Sequence, residues 1–433
     1  MNVRERLDAA LSRIADPNGE GARTCLTVYR EAATAAADAA DARAKSGVSL
    51  GPLDGTIVSL KDLFDVAGEV TRAGSKVLAA EGKVAASDAS VVRRLRAAGA
   101  VIIAKTNMSE FAFTGVGINP HYGTPGNPAD RARAPGGSSS GAAVSVADDF
   151  CDIAIGTDTG GSVRIPAALC GVTGFKPSRQ RVPTTGVFPL SYSLDSIGPL
   201  AKTIAQCAAA DAVMANETSS SSIWQLDAAP LAGLRLGVAQ GLPLENLDDT
   251  VGRRFPEALD RLERAGVRLT YEKLPILDDM MRVQSRTSIL VAEVYSIHRE
   301  RLAQRGDDID QIVRGRVSKG ADIAAADYIE AVRARNALIA AMDARLADLD
   351  ALVLPTTPTV APRVDELSDP KAFMARNAML LRNTTIGNFF DLCAVSLPLP
   401  REGGLPVGLM LFARNGQDRK LLRIAAAIEK TFV

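Results

Sequence analysis

Short apolar runs alternate with longer amphipathic segments along most of the chain. Periodicity typical of amphipathic helices extends up to about residue 45 and over residues 88–100, 250–265, 277–306 and 326–347. The apolar runs predict buried strands at residues 56–60, 100–104, 151–156, 234–239, 351–355, 394–400 and 407–413. Short apolar strands that alternate with helices are typical of a sheet covered on both faces. The pattern therefore predicts an α/β fold.

Only one change in composition interrupts this alternation. Residues 215–230 are polar and rich in serine, which predicts a long surface loop or the boundary of an internal lobe. The chain shows no internal repeat with a period of 20–50 residues. A length of 433 residues would allow more than one domain. The continuous alternation favours a single compact unit.

Charge and cysteine content narrow the classes of partner. Lys plus Arg and Asp plus Glu balance at 50 each, so no net field draws the chain to nucleic acid or an anionic membrane. No apolar run reaches the roughly 18 residues that a membrane span needs. The five cysteines are scattered without a CxxC pair, and only two histidines are present, which indicates a reducing compartment and no metal cluster. The sequence predicts a soluble, cytoplasmic protein without a cofactor.

Two glycine–serine segments lie close together in the chain, at residues 136–141 (GGSSSG) and 159–162 (TGGS). Such segments are often flexible linkers, but apolar elements border both of these. Glycines at the start of a helix let the backbone expose consecutive N–H groups, which can receive a phosphate or the oxyanion of an acyl-transfer intermediate. Neither segment has the P-loop lysine or the GxGxxG pattern. Ser162 follows two glycines and is therefore a candidate nucleophile.

A serine nucleophile needs a base, and the candidates differ in their settings. His121 lies in a turn-rich loop and His298 in a helical pattern, where both are expected to be structural, and no GxSxG elbow is present. A Ser-His-Asp triad stays an alternative with little support. Lys61 ends the apolar strand 56–60, and burial there would favour its neutral form. Lys61 is therefore the leading candidate for the base.

Seven segments resemble the amidase signature family closely and follow the family's order from about residue 51 to the C-terminus. They read GPLDGTIVSLKDLFDV, KTNMSEFAF, APGGSSSGAAVSVA, GTDTGGSVRIPAALCGVTGFKPS, SLDSIGPLAKT, DALVLPTTPTVAP and LPVGLMLFARNGQDRKLL. The resemblance implies one amidase domain over residues 1–433, with a central twisted mixed sheet covered by helices on both faces. The N-terminal helical segment 1–50 would pack on this domain, and residues 51–210 would carry the catalytic groups.

The resemblance also implies a Ser–cis-Ser–Lys triad. On this chain Lys61 would be the base, Ser138 the serine with the cis peptide bond, and Ser162 the nucleophile. The backbone N–H groups of Thr159, Gly160, Gly161 and Ser162 would form the oxyanion hole. Beside the nucleophile, Asp158 and Arg164 are expected to form an ion pair that braces the loop.

The implied function is hydrolysis of a small polar amide. The expected partners are this substrate and a second copy of the chain in a homodimer, with no nucleic acid and no membrane. Residues 375–400 would build part of the substrate pocket, where Arg382 is the candidate for holding a substrate carboxylate or carbonyl. Two alternatives stay open. The chain could be the A subunit of a glutamine-dependent tRNA amidotransferase, or a catalytically silent binding protein with the same fold.

Overall fold

A computed structural model describes residues 1–217, 226–401 and 403–432 of the chain. Within these ranges, eleven strands form one mixed sheet in the order β1-β3-β2-β4-β6-β5-β10-β11-β9-β7-β8. The strands are β1 Cys25–Val28, β2 Ile57–Lys61, β3 Val101–Thr106, β4 Ile153–Asp158, β5 Thr173–Lys176, β6 Ser196–Ala201, β7 Arg235–Gln240, β8 Arg268–Lys273, β9 Ala351–Pro355, β10 Cys393–Pro398 and β11 Gly408–Ala413. Strand β2 runs parallel to β3 and β4, whereas β4 and β6 are antiparallel.

Fifteen α-helices accompany the sheet in the described residues. They are α1 Val3–Ala15, α2 Gly21–Thr24, α3 Arg30–Lys45, α4 Lys76–Glu81, α5 Ser90–Ala97, α6 Ser140–Ala147, α7 Arg164–Cys170, α8 Ile204–Met214, α9 Asp249–Arg264, α10 Ile276–Arg286, α11 Ile289–Arg305, α12 Gln311–Val317, α13 Ala325–Arg345, α14 Pro370–Phe389 and α15 Asp418–Phe432. Side chains cap several of them; in α1, Asn2 and Glu5 form a reciprocal capping box.

Alternation along the strands divides the core between the two faces of the sheet. Val58 and Leu60 of β2 belong to a cluster shared with α5, α8, α9 and α15, while Ile57 belongs to a second cluster shared with α1, α3, α6 and α7. On the other half of the sheet, Leu352 and Phe412 pack in a third cluster with α10, α13 and α14. Successive strand residues point to opposite faces, so helices cover the sheet on both sides. This confirms the predicted α/β class and single-domain architecture.

The sequence-based elements agree with the structure with a few exceptions. Every predicted strand is present with ends within two residues. The strands β1, β5, β6 and β8 were not predicted, and β1 interrupts the N-terminal region expected to be helical. The single helix predicted over residues 277–306 is wrong, because α10 ends at Arg286 and Ser288 caps the new helix α11. Of the loop predicted at 215–230, residues 218–225 lie outside the described residues.

Candidate active site

The end of strand β2 places a lysine in the middle of the sheet. Lys61 is the last residue of β2, lies between β3 and β4, and is fully buried. Its Nζ donates to Ser138 Oγ at 2.8 Å and to Thr157 Oγ1 at 2.9 Å. Burial lowers the Lys61 pKa to about 7, although the negative charges of Asp195 and Asp158 oppose that shift. An amine with a pKa near 7 therefore contacts two hydroxyl groups.

The first glycine–serine segment approaches neighbouring backbone too closely for larger residues. A Cβ on Gly137 would lie 2.7 Å from backbone atoms of Gly117. The Gly137 N–H donates to the Gly115 carbonyl at 2.8 Å, and the next peptide bond, Gly137–Ser138, is cis. The Ser138 carbonyl accepts the Ser109 N–H at 3.1 Å. These contacts hold Ser138 against the end of β2, where its hydroxyl meets Lys61.

The second segment connects β4 to α7 and carries Ser162. Gly161 has φ of +134°, and a Cβ there would lie 2.1 Å from Thr384 Oγ1. Thr384 Oγ1 donates to the Gly160 carbonyl at 2.7 Å. The Ser162 carbonyl accepts the Ser139 N–H at 3.2 Å, so the two segments contact each other directly. Ser162 is buried, with 4% of its surface exposed.

A buried ion pair braces the second segment, as the sequence predicted. Arg164 Nη2 donates to Asp158 Oδ1 at 2.8 Å, and both side chains are fully buried. Asn388 Nδ2 donates to the same carboxylate at 2.9 Å. Burial opposes ionisation of Asp158, but the charge and hydrogen bonds of Arg164 and the amide of Asn388 hold its pKa at about 2. The pair ties the start of α7 to the end of β4.

A carboxylate that sequence reasoning missed contacts the other end of this segment. Asp195 Oδ1 accepts the Thr159 hydroxyl at 2.5 Å, and its Oδ2 accepts the N–H groups of Leu190 and Ser191 at 2.9 and 3.1 Å. Thr157, the second partner of Lys61, was missed as well. The segment SLDSIGPLAKT contained Asp195, but no local pattern assigns it a contact with Thr159.

A cavity of about 260 Å³ lies against Thr159 and Gly160. Its wall is completed by residues of α10, α11, α13 and α14 and the α10–α11 connection: Val283, Gln284, Thr287, Ser288, Ile289, Leu290, Arg335, Leu381, Thr385, Asn388 and Phe389, together with Leu194. Residues 375–400 thus contribute several of these residues. Arg335 supplies a guanidinium that donates to the Asn388 carbonyl at 3.0 Å and to Asp391 at 2.5 Å.

Arg382, the sequence-based candidate for substrate binding, lies on α14 next to the lining residue Leu381. Its Nη2 donates to the Pro243 carbonyl at 3.4 Å and its Nε to Asn383 at 3.3 Å. It is half-buried and is absent from the described residues that line the cavity. Its role in substrate binding stays a prediction.

The two histidines lie in structural settings. His298 is buried against Phe111, with ring centroids 4.0 Å apart, and burial lowers its pKa to about 3. His121 lies 3.0 Å from the Glu110 carboxylate in its own loop region. Both positions agree with the expected structural roles. Across the described ranges, no cluster of metal-ligating side chains and no helix long and apolar enough to cross a membrane is found.

Comparison with known proteins assigns the family. The model of a family described as Amidase matches residues 5–422. The chain belongs to this family. It is 34% identical to a 2-amino-5-chloromuconic acid deaminase of Comamonas testosteroni, over 92% of this chain and 86% of that protein. It is also 36% identical to the A subunit of a glutamyl-tRNA(Gln) amidotransferase of Anaeromyxobacter sp. (strain K), over 98% and 92% of the two chains.

A solved structure of an amidase has the same fold. It superposes with a TM-score of 0.88 at 30% identity and covers 100% of this chain and 97% of its own. Family and fold together confirm the resemblance seen in the sequence. The chain is an enzyme that hydrolyses carbon–nitrogen bonds of amides.

Proposed function

We propose that the chain hydrolyses a small polar amide through an acyl-enzyme on Ser162, with Ser138 and Lys61 relaying protons. The observation that carries this proposal is the 2.8 Å contact between the buried Lys61 Nζ and Ser138 Oγ. A lysine with a pKa of about 7 is about half unprotonated at neutral pH. It can then accept a proton from a neighbouring hydroxyl.

The reaction would begin with attack of Ser162 Oγ on the amide carbonyl carbon. Ser138 takes the Ser162 proton while its own proton moves to neutral Lys61. The carbon–nitrogen bond then breaks, and the proton returns through Ser138 to the leaving nitrogen. Water attacks the resulting ester, and the same relay moves the proton of water back to Ser162. Every proton taken from a nucleophile is therefore returned to a leaving group.

The oxyanion of each tetrahedral intermediate would be held by the N–H groups of Thr159, Gly160, Gly161 and Ser162. The Gly160 carbonyl accepts hydroxyls from Thr384 and Thr385 at 2.7 and 3.3 Å, which fixes this loop from the side of α14. Positive φ at Gly161 lets successive N–H groups converge on one point. Preorganised donors of this kind act on charge that develops in the transition state.

The cavity beside this loop supports the proposed substrate class. Its volume of about 260 Å³ suits a small acyl group, and its wall combines apolar side chains with the guanidinium of Arg335. The relative from Comamonas testosteroni is a deaminase of 2-amino-5-chloromuconic acid, which supports a small carboxylated substrate. A guanidinium at this wall would hold the substrate carboxylate, with Arg335 and the sequence-based candidate Arg382 as the two choices.

Labelling tests the nucleophile. A fluorophosphonate should modify Ser162 in the wild-type chain, and Ser162→Ala should abolish both labelling and turnover, since Ser162 is the proposed nucleophile. Peptide mass spectrometry locates the adduct, and a screen of small and aryl amides measures turnover. Ser139→Ala, beside the site, is the matched control and should still be labelled at Ser162. Labelling that persists unchanged in Ser162→Ala would refute the assignment.

Charge-selective kinetics tests the substrate class. We expect Arg335→Gln to lower kcat/KM at least ~10-fold for a carboxylated amide and far less for a neutral one of similar size. Arg382→Ala is the comparison. A selective loss in Arg382→Ala instead would support the sequence-based assignment, and equal losses on both substrates would contradict a carboxylate contact at either arginine. Active-site titration with the fluorophosphonate corrects each rate for folded enzyme.

Two other functions are addressed by the same assays. The first is the amidotransferase A subunit, since the chain is 36% identical to one such chain. A glutaminase that supplies ammonia to a partner would release ammonia from glutamine in preference to the other amides. A catalytically silent protein would show no labelling and no turnover, although Lys61, Ser138 and Ser162 are all present. The homodimer and the cytoplasmic location remain predictions.

A further inference from the structure

Asp195 is the one carboxylate that hydrogen-bonds to the candidate oxyanion loop at Thr159 in the described chain. Its two oxygens have separate partners: Oδ1 accepts the Thr159 hydroxyl at 2.5 Å, while Oδ2 accepts the N–H groups of Leu190 and Ser191. The backbone contacts fix the carboxylate, so it can in turn fix the hydroxyl of Thr159. Asp195 therefore fixes Thr159 from the side of residues 190–195, whereas Asp158 and Arg164 brace the same loop at its other end.

The charge of Asp195 also acts on Lys61. Two carboxylates, Asp195 and Asp158, favour the protonated form of Lys61, whose direct contacts, Ser138 and Thr157, are neutral. Residues 190–195 face further charged groups. Glu293 of α11 accepts the Ser191 hydroxyl and the Ser193 N–H, and Arg179 lies with Asp195 along a second cavity. Asp195 combines a contact to Thr159 with an effect on Lys61, whereas Asp158 shares the effect on Lys61 but contacts the other end of the loop.

We propose that Asp195 is a positioning residue, which holds Thr159 so that the loop N–H groups point at the oxyanion and which supplies a negative charge that acts on Lys61. This assignment rests on the proposed function. It predicts two separable effects: a change in kcat from the loop, because oxyanion contacts form only in the transition state, and a change in pH dependence from the charge.

Asp195→Asn separates these effects from a loss of folding. The asparagine oxygen can accept the N–H groups of Leu190 and Ser191, while its Nδ2 faces Thr159. The charged acceptor of the Thr159 hydroxyl is thereby replaced by a neutral donor, which reverses and weakens that hydrogen bond. We expect kcat to fall at least ~10-fold with little change in KM. We also expect the acid limb of kcat/KM to move to lower pH, because Lys61 loses a charge that favours its protonated form.

Two further variants serve as controls. Thr159→Val removes the hydroxyl but keeps the charge, so kcat should fall while the acid limb stays in place. Glu293→Gln removes a charge from the opposite side of residues 190–195 without touching Thr159, and it should leave the acid limb unmoved. In the double variant Asp195→Asn/Thr159→Val, the loss in kcat should not exceed that of the worse single variant by more than about 3-fold, since the two residues act as a unit.

Rates are measured on the full chain from about pH 5 to 10 and normalised by fluorophosphonate titration of active sites. An acid limb that does not move in Asp195→Asn, or a limb that moves equally in Glu293→Gln, would overturn the charge effect. Additive losses in the double variant would overturn the shared role in the loop. If the wild-type chain itself is not labelled at Ser162, the proposed function fails instead, so the two failures are distinguishable.

Discussion

Lys61 and Lys176 are buried lysines that end two strands of the same sheet, yet they have different partners. Burial lowers the pKa of both, to about 7 for Lys61 and about 8 for Lys176. Lys61 Nζ donates to two hydroxyls, whereas Lys176 Nζ donates to the carbonyls of Pro177 and Leu392 at 2.8 and 2.9 Å. A hydroxyl can pass a proton onward and a carbonyl cannot. A lowered pKa therefore does not identify a base unless its partner can exchange protons with it.

Replacing Lys61 should mainly abolish activity, whereas replacing Lys176 should mainly lower stability. The difference in kcat between these two variants is the largest effect that we expect. Lys61→Met should lower kcat by about 10⁴-fold, because the proton of Ser138 then has no acceptor. Lys176→Met should keep kcat per folded molecule within about 10-fold. It should instead lower the free energy of unfolding by about 1–3 kcal/mol, since two buried carbonyls lose their donor.

Steady-state rates and urea unfolding of both variants provide the measurements. Circular dichroism shows whether Lys61→Met is folded. If Lys176→Met were as inactive as Lys61→Met while remaining folded, the distinction based on their partners would be wrong.

The pH dependence sharpens the same comparison with a smaller effect. Since burial lowers the Lys61 pKa to about 7, the unprotonated base predominates above that pH. We expect kcat/KM to rise through about pH 7 and to stay high into the alkaline range. The double variant His121→Gln/His298→Phe should keep this limb. The His298 pKa is about 3, and in the described residues His121 lies against Glu110 and His298 against Phe111. A collapse of activity in that variant, equal to that of Lys61→Met, would restore a histidine as the base.

Lys105, a third buried lysine, should give the smallest effect on activity. Its Nζ has no hydrogen-bond partner in the described structure and lies 3.9 Å from the Asp62 carboxylate. Burial raises the Asp62 pKa to about 6, against the opposing charge of Lys105. Lys105→Met should keep kcat/KM within about 3-fold, since this amine does not contact Ser138.

Stability should respond to Lys105→Met in a pH-dependent way. The folded-state pKa of Asp62 lies above its unfolded value, so its contribution is present at low pH and is lost as the pH rises through the folded pKa. Without Lys105 that pKa rises further, and the loss extends to higher pH. We expect the stability of the variant relative to the wild type to fall by about 1–2 kcal/mol between pH 5 and pH 8. Urea unfolding at the two pH values measures this, and a difference independent of pH would contradict it.

The sequence predicted the elements with strong local patterns and missed those defined by distant contacts. The strand that ends at Lys61 and the two glycine–serine segments had clear local signals. Strand β1 was missed because its four residues belong to an alanine-rich region, and they become a strand only by pairing with β3. The break at Thr287 does have a local signal, since serine is a common capping residue and Ser288 caps α11.

The same limit applies to the site. Thr157 and Asp195 contact Lys61 and Thr159, which lie 96 and 36 residues away in sequence. Such contacts depend on the order of strands in the sheet. Local patterns in a single sequence do not reveal which strands are neighbours. Local patterns alone made Ser162 and Lys61 candidates, whereas the role given to Ser138 came only from the resemblance to a known family.

The proposed catalytic residues and the cavity wall lie in different parts of the sequence, and this affects how a new substrate specificity can arise. The groups proposed for chemistry lie between residues 61 and 195, whereas most of the cavity wall comes from residues 283–290, 335 and 381–389. Mutation or recombination within the second half of the coding sequence can therefore change which substrate is bound and leave the catalytic residues unchanged. A mutant library that varies only the wall positions of α10, α11, α13 and α14 would reproduce this process experimentally. Asn388 should be kept fixed in such a library, because it both lines the wall and braces Asp158.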